Sequence, residues 1–152
     1  MSPYSVGGDG KLKNQLIDYI KENKLSQYIT LVNKVPYSEV PSYISVMDIA
    51  VMPNSNFSGS PIKIFEYMAM KKPCVAMATP AIKEIIKNKF NGYLVNNTKE
   101  LEEAIYKLVN NKKLRKKFGE NARRTILKKR YTWDNNAKRI VEMYNSLNND
   151  IL

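Results

Sequence analysis

Four short apolar runs, each bounded by turn residues and separated by segments of helical periodicity, restrict the fold of this chain more than any other feature. Ile29–Val32, Asp48–Met52, Cys74–Met77 and Tyr93–Val95 have the length and composition of buried strands. Between them lie a helix over about Lys11–Asn23, with Leu12, Leu16, Tyr19 and Ile20 on one face, and a short helix from Ser38, a candidate N-cap, through Ser45. Pro61–Met70, with Ile62, Phe65, Tyr67 and Met68, and Ala81–Ile86 complete the alternation, and Asn91-Gly92 reads as a turn. Strand and helix in alternation specify an α/β fold.

The final third changes character. Asn97 with Glu100 three residues on is a helix-start signal, ahead of Leu101, Ala104, Ile105, Leu108 and Val109 on one face. Two more helices follow, about Lys112–Lys129 and Trp133–Leu147, the second with Thr132 as its cap. There is no internal repeat and no linker long enough to divide 152 residues, so the expectation is one domain over 1–152 with closing helices over about 98–148.

The residue inventory excludes several chemistries. The chain has no histidine and one cysteine, Cys74. A Ser-His or Cys-His triad, a His-ligated zinc site and an internal disulfide therefore cannot be built from it alone. No apolar run approaches the roughly 20 residues of a membrane span. Met1–Gly10 lacks the features of a secretory signal, which makes the expected compartment cytoplasmic.

The net charge is +11, and residues 111–130 carry ten cations and one acid, so nearly all of the excess sits on one helix. Its apolar stripe, Leu114, Phe118, Ala122 and Ile126, is intact. Three readings compete for the basic face: a solvated surface, attraction to an anionic membrane through Lys112, Lys113, Arg115, Lys116 and Lys117, and nucleic acid. The last is disfavoured, because no aromatic side chains interleave with the cations as a stacking platform.

The stretch Ser58-Gly59-Ser60-Pro61-Ile62-Lys63-Ile64-Phe65-Glu66-Tyr67-Met68-Ala69 directly follows the strand Asp48–Met52. A loop leaving the carboxyl end of a parallel strand and entering a helix is where open α/β sheets bind ligands, and a helix N-terminus suits phosphate. Ser60 can cap this helix and Pro61 suits its first position. Lys63 in the first turn opposes the helix dipole unless an anion compensates it. Glu66, one turn deeper, suits ribose hydroxyls. A plain Lys63–Glu66 pair on a helix surface fits the spacing as well.

At this stretch the sequence resembles the C-terminal, nucleotide-sugar-binding half of a family-four glycosyltransferase, the retaining enzymes of GT-B fold. Gly8-Asp9-Gly10 resembles the turn after a strand, and Val35-Pro36, Glu39-Val40-Pro41 and Tyr43 the segment before the next one. Glu84-Ile85-Ile86, Asn91-Gly92-Tyr93-Leu94-Val95, Asn121-Ala122-Arg123 and Tyr131-Thr132-Trp133 follow in the family's order. The resemblance implies a Rossmann-like parallel sheet flanked by helices, the C-terminal half of a GT-B fold. It implies that backbone at Lys34 and Val35 holds the base, Glu66 the ribose, and Ser60, Ile62 and Lys63 the diphosphate, with Gly10, Ser58, Gly59 and Pro61 also at the donor. It implies no cofactor and no metal, a nucleotide sugar as substrate, and a role in surface glycan or polysaccharide synthesis, at the inner face of the membrane.

Departures from the family accompany the match. Ser58 stands near where a first glutamate is common, Pro61 where glycine is common, Lys71 at a helix-ending glycine, and Pro80-Ala81 in place of a glycine pair. Nothing before Gly8 resembles the family's upstream strand or its N-terminal acceptor-binding domain. The resemblance thus implies a donor half with first strands missing and catalytic groups elsewhere, either a piece of a longer polypeptide or a chain needing a separate partner. The alternative is a non-catalytic module that binds a partner or an anionic membrane through its basic helix, 112–130.

Overall fold

The computed structural model describes residues 4–7, 10–53 and 61–149. The chain divides into two compact units, Met1–Tyr43 and Ile44–Leu152.

The first unit is a βαβ arrangement. Strand β1 (Tyr4–Gly7) and strand β2 (Ile29–Val32) pair in parallel, Tyr4 opposite Ile29 and Gly7 opposite Val32, with helix α1 (Lys13–Glu22) between them in the chain. The Gly8-Asp9-Gly10 resemblance implies β1; hydrophobic periodicity misses it because Tyr-Ser-Val-Gly is too short to stand out, with only two apolar residues. Ile20 is the one buried residue of this unit among those described.

Ser38 does not cap a helix. Tyr37–Glu39 is a 3-10 turn that leads into helix α2 (Val40–Ser45). Pro41 has no N–H to offer the Tyr37 carbonyl, so the turn closes with the Val40 N–H on that carbonyl instead.

The second unit holds three parallel strands, β3 (Ala50–Met52), β4 (Cys74–Met77) and β5 (Gly92–Val95), in the order β3-β4-β5. Helix α3 (Ile62–Ala69) connects β3 to β4 and helix α4 (Pro80–Ile85) connects β4 to β5. Helices α5 (Thr98–Val109), α6 (Lys112–Lys129) and α7 (Trp133–Asn149) follow. Successive side chains of a strand face opposite ways, and β4 supplies both layers of the core. Cys74 and Ala76 pack with Ile64, Met68, Ile82, Ala122 and Ile126 on one face. Val75 packs with Val95, Ala104, Leu108 and Phe118 on the other. Burial of each such side chain contributes about 1.5–3 kcal/mol. Phe118, against Ile126 eight residues on, takes α6 from one layer to the other.

The starts of α5 and α7 are built as the sequence implies. Asn97 Oδ1 accepts from the Glu100 N–H at 2.9 Å, while Glu100 reaches back one residue further than a capping box requires, to the Asn96 N–H at 2.8 Å. Asn111 caps α6 through the Leu114 N–H at 2.9 Å, and Thr132 Oγ1 accepts from Asn135 N–H at 3.3 Å. Buried Asn91 pins the turn before β5, accepting from the Lys87 N–H at 2.8 Å and donating to Thr125 Oγ1 at 3.2 Å. Gly92 follows because a Cβ there would stand 2.5 Å from the Cys74 carbonyl oxygen.

The basic helix is only partly a solvated face. Arg115 donates to the Leu108 and Val109 carbonyls at 2.7 Å each, with Asp48 at 3.7 Å from its Nε. Arg123 donates to the Ala69 carbonyl at 2.6 Å, and Lys129 Nζ to the Glu84 carbonyl at 3.2 Å. These cations sit on the carboxyl ends of α5, α3 and α4, where helix dipoles favour positive charge. Arg115 is therefore corrected from a membrane-facing cation to a capping one, because the short α5–α6 connection sets it against the last carbonyls of α5. Among the described residues no helix is long and apolar enough to cross a membrane.

Candidate functional site

Helix α3 carries the candidate residues of the second unit. Pro61 is its N-cap and not its first helical residue: φ is −80° and ψ 82°, and Ile62 opens the helix. The Pro61 carbonyl accepts from the Ile64 N–H at 2.9 Å. A proline at this position offers no side-chain oxygen, so the first turn lacks the side-chain cap that serine, threonine or asparagine provides. The expected cap Ser60, with Ser58 and Gly59, lies outside the described residues.

Depth along α3 sorts its side chains. Ile64 and Met68 are buried, anchoring the helix on β4. Ile62 is 52% exposed, Lys63 is exposed and Glu66 half-buried. Lys63 thus brings a cation to an N-terminus that already favours anions, and Glu66 stands one turn further in. Glu66 also acts on its neighbour: burial first, then the nearby Cys74 and Glu66, raises the Tyr67 phenol above its ordinary 10.0.

The far end of α3 is fixed by α6. Lys71 adopts φ 57°, its N–H bonds the Met68 carbonyl at 3.1 Å, and the Lys72 N–H bonds the Tyr67 carbonyl at 2.9 Å. This is a Schellman motif with lysine where glycine is usual, the strained turn that the sequence implies. Gly119 of α6 lies against it so closely that a Cβ there would come within 2.0 Å of the Lys71 carbonyl oxygen. Phe65 meets Tyr131 edge-on, ring centroids 5.0 Å apart.

The remaining candidates lie in the first unit. Gly10 follows β1 and Lys34 and Val35 follow β2, so all three stand at the carboxyl ends of neighbouring parallel strands. Gly10 and Lys34 are exposed and Val35 half-buried. At that end an open hollow of about 560 Å³ is lined by Gly7, Gly10, Leu12, Gln15, Leu16 and Val32, among others. A Cβ on Gly10 would meet nothing within 4 Å among the described residues, so packing in its own unit does not require glycine there. Leu12, Gln15 and Leu16 were missed as lining residues because helical periodicity assigns α1 only a core face. Among the described residues no three His, Cys, Asp or Glu side chains gather as metal ligands.

Residues 4–125 match the family of glycosyl transferases group 1. The chain belongs to this family. It is 32% identical over 146 residues to an uncharacterized glycosyltransferase of Methanocaldococcus jannaschii, a match covering 95% of this chain and 40% of that protein. Its fold is that of GT-B glycosyltransferases. A point mutant of Staphylococcus aureus TarM, solved with fondaparinux, alpha-GlcNAc-glycerol and UDP, superposes with a TM-score of 0.83 at 24% identity, over 93% of this chain and 28% of TarM. The C-terminal domain of a glycosyl transferase group 1 family protein, LpcC of Francisella tularensis, gives 0.72 at 22% identity, over 83% of this chain and 84% of that domain. The chain thus has the fold of a C-terminal GT-B domain and spans 40% of the archaeal protein and 28% of TarM.

Proposed function

We propose that this chain is the donor-binding domain of a glycosyltransferase that moves a sugar from a nucleoside-diphosphate sugar to an acceptor hydroxyl, with retention at the anomeric carbon. The observation that carries the reading is helix α3, which presents Lys63 at its exposed N-terminus and Glu66 one turn deeper in a chain of this family. When the sugar departs, negative charge grows on the diphosphate. An N-terminus with a lysine in its first turn is oriented for that charge in advance, which is how such groups lower a barrier without a metal. A half-buried carboxylate accepts hydrogen bonds from two adjacent hydroxyls, the pattern a ribose offers. Within the first unit, Gly10, Lys34 and Val35 stand at the carboxyl ends of its parallel strands, the end at which open α/β sheets take ligands. In the second, Ile62 and Lys63 hold the diphosphate, with Ser58, Gly59, Ser60 and Pro61 in the segment entering α3. UDP in the TarM structure supports uracil as the first base to test.

Acceptor binding and further catalytic groups lie, on this reading, outside residues 1–152, in a preceding strand and an N-terminal domain. Two observations support this. The match covers only 40% of the archaeal relative, and β1 is exposed along its whole length although parallel strands are usually covered on both faces. The relatives that carry names include a poly(ribitol-phosphate) alpha-N-acetylglucosaminyltransferase of Staphylococcus aureus and an O-antigen biosynthesis glycosyltransferase of Escherichia coli, and surface glycan is the class of product proposed here.

Thermal shift against UDP, GDP, ADP and their sugars tests the reading. A nucleotide at 100 times its dissociation constant stabilises by about 2.7 kcal/mol, roughly 5–10 °C in Tm at this size. Glu66→Ala removes the shift, and Lys63→Ala weakens diphosphate binding about 10–100-fold, the range for a charged hydrogen bond. A folded protein that no nucleotide stabilises overturns the proposal.

A further inference from the structure

Asn91-Gly92 sets an asparagine directly before a glycine, the only such pair in the chain. Glycine hinders its own backbone nitrogen least from reaching the preceding side-chain amide, because it has no Cβ and accepts most backbone angles. An asparagine so placed can cyclise. The Gly92 nitrogen gives up its proton and bonds to Asn91 Cγ, the Cγ–Nδ2 bond breaks, and ammonia leaves with that proton. Water then opens the cyclic imide at one carbonyl to an aspartate, or at the other to an isoaspartate whose main chain is a methylene longer.

The fold opposes each requirement of this reaction. Asn91 is 0% exposed, so water has no access to it. Its amide is held at both ends: Oδ1 accepts from the Lys87 N–H at 2.8 Å, while Nδ2 donates to Thr125 Oγ1 at 3.2 Å and to the Ile85 carbonyl at 3.4 Å. Turning Cγ toward the Gly92 nitrogen breaks all three bonds and leaves buried polar groups unpaired. The backbone is fixed as well. Gly92 pairs with Cys74 at the start of β5, the Lys89 N–H bonds the Gly92 carbonyl at 2.9 Å, and Asn121 Nδ2 holds the Phe90 carbonyl at 2.9 Å.

The products do not fit the place that asparagine fills. Thr125 gives its hydroxyl proton to the Asn121 carbonyl at 2.9 Å, so it meets Asn91 as an acceptor. An aspartate would aim an acceptor oxygen at that hydroxyl oxygen and at the Ile85 carbonyl, burying a charge with no donor on that side. An isoaspartate would lengthen the turn ahead of Gly92, which is already pressed against the Cys74 carbonyl. We propose that Asn91-Gly92 is a latent deamidation site, closed in the native protein, reactive in the unfolded chain and, once it has reacted, a bar to refolding. Time spent unfolded thereby turns a reversible transition into an irreversible one. Every group involved belongs to the second unit, so the proposal stands or falls apart from nucleotide binding.

Peptide mapping by mass spectrometry tests it, on the protein held at mildly alkaline pH either in buffer or in guanidinium chloride. In denaturant, Asn91 is expected to deamidate ahead of every other asparagine. In buffer its rate should fall on the order of a hundredfold or more, because the reaction then follows the small population of open chains. After the denaturant is removed, chains modified at Asn91 should be depleted about tenfold or more from the protease-resistant, refolded fraction, since they carry a buried charge without a partner. Native protein that deamidates at Asn91 as fast as the unfolded chain, an unfolded chain in which other asparagines react before Asn91, or modified chains that refold as fully as unmodified ones would overturn the proposal.

Discussion

Lys71 and Cys74 lie three residues apart, and each is constrained by the backbone around it. Lys71 holds φ 57° at the end of α3, a conformation that disfavours any residue with a Cβ by about 1–2 kcal/mol. Lys71→Gly is expected to stabilise the fold by about 1 kcal/mol and raise Tm by about 2–4 °C, measured by thermal unfolding. Cys74 is fully buried in the middle of the core, and burial pushes its thiol from an ordinary 9.0 up to about 12. Below pH 9 the thiol is protonated in both states and contributes nothing to the pH dependence. Between about 9 and 12 the unfolded chain releases this proton and the native chain keeps it, so stability falls as pH rises. Denaturant titrations at pH 8, 9.5 and 11 should therefore show a shallower decline in Cys74→Ala than in the wild type. A thiol reagent at pH 8 should label Cys74 only after denaturant is added. An equal decline in both proteins would mean that the buried thiol is not a source of alkaline lability. The strain at Lys71 is legible in the sequence, because a helix of this family ends there on glycine. The depth of Cys74 follows from its place in the only strand with neighbours on both sides among those described.

At the scale of elements, α6 is the part that the sequence describes most fully and also the part it most misleads about. Its limits, Lys112–Lys129, follow from an unbroken apolar stripe. Which of its cations face inward depends on where the carboxyl ends of α3, α4 and α5 fall in space, and no periodicity encodes that. Pro61 is one position off for a similar reason: its φ suits either the N-cap or the first turn, and the packing of Ile64 on β4 decides. The remaining gap in the candidate site, Ser58–Ser60, lies outside the described residues. The structure separates capping cations from surface ones by experiment. Arg123→Ala removes a charged hydrogen bond to the Ala69 carbonyl and should destabilise by about 1–3 kcal/mol in urea unfolding. Lys116→Ala, at an exposed position, should stay within about 0.5 kcal/mol of wild type. Gly119→Ala should be the most damaging of the three, since its Cβ would press on the Lys71 backbone and not on a side chain able to swing away. A loss of about 1–3 kcal/mol or more is expected, together with weaker nucleotide binding if α3 shifts. A neutral Gly119→Ala would show that α6 is free to move away from the end of α3.

Over the whole molecule, stability is unevenly distributed, which the strand pattern does not reveal. Apolar runs identify strands, but their partners and the burial they reach are settled by tertiary packing. The structure has two compact units with very different interiors. Ile44–Leu152 contains both apolar clusters and a strand, β4, whose first three residues are fully buried. Met1–Tyr43 has a two-stranded sheet with Ile20 as its buried residue among those described. With Ile20 as its buried side chain among those described, this unit has little apolar burial to oppose local opening. Native-state hydrogen exchange should therefore find two levels of protection. Amides of β1 and β2 should exchange through openings of about 0–2 kcal/mol, while those of β4 should require nearly the global unfolding free energy. The same asymmetry predicts how the protein responds to more polypeptide. If the preceding strand proposed above pairs along the exposed β1, protection at Val6 and Leu31 should rise by an order of magnitude or more in a polypeptide that carries it, while protection at Val75 changes little. Equal protection of β1 and β4 without any addition would show that the first unit is already held as firmly as the second, and the case for a missing neighbouring strand would fall with it.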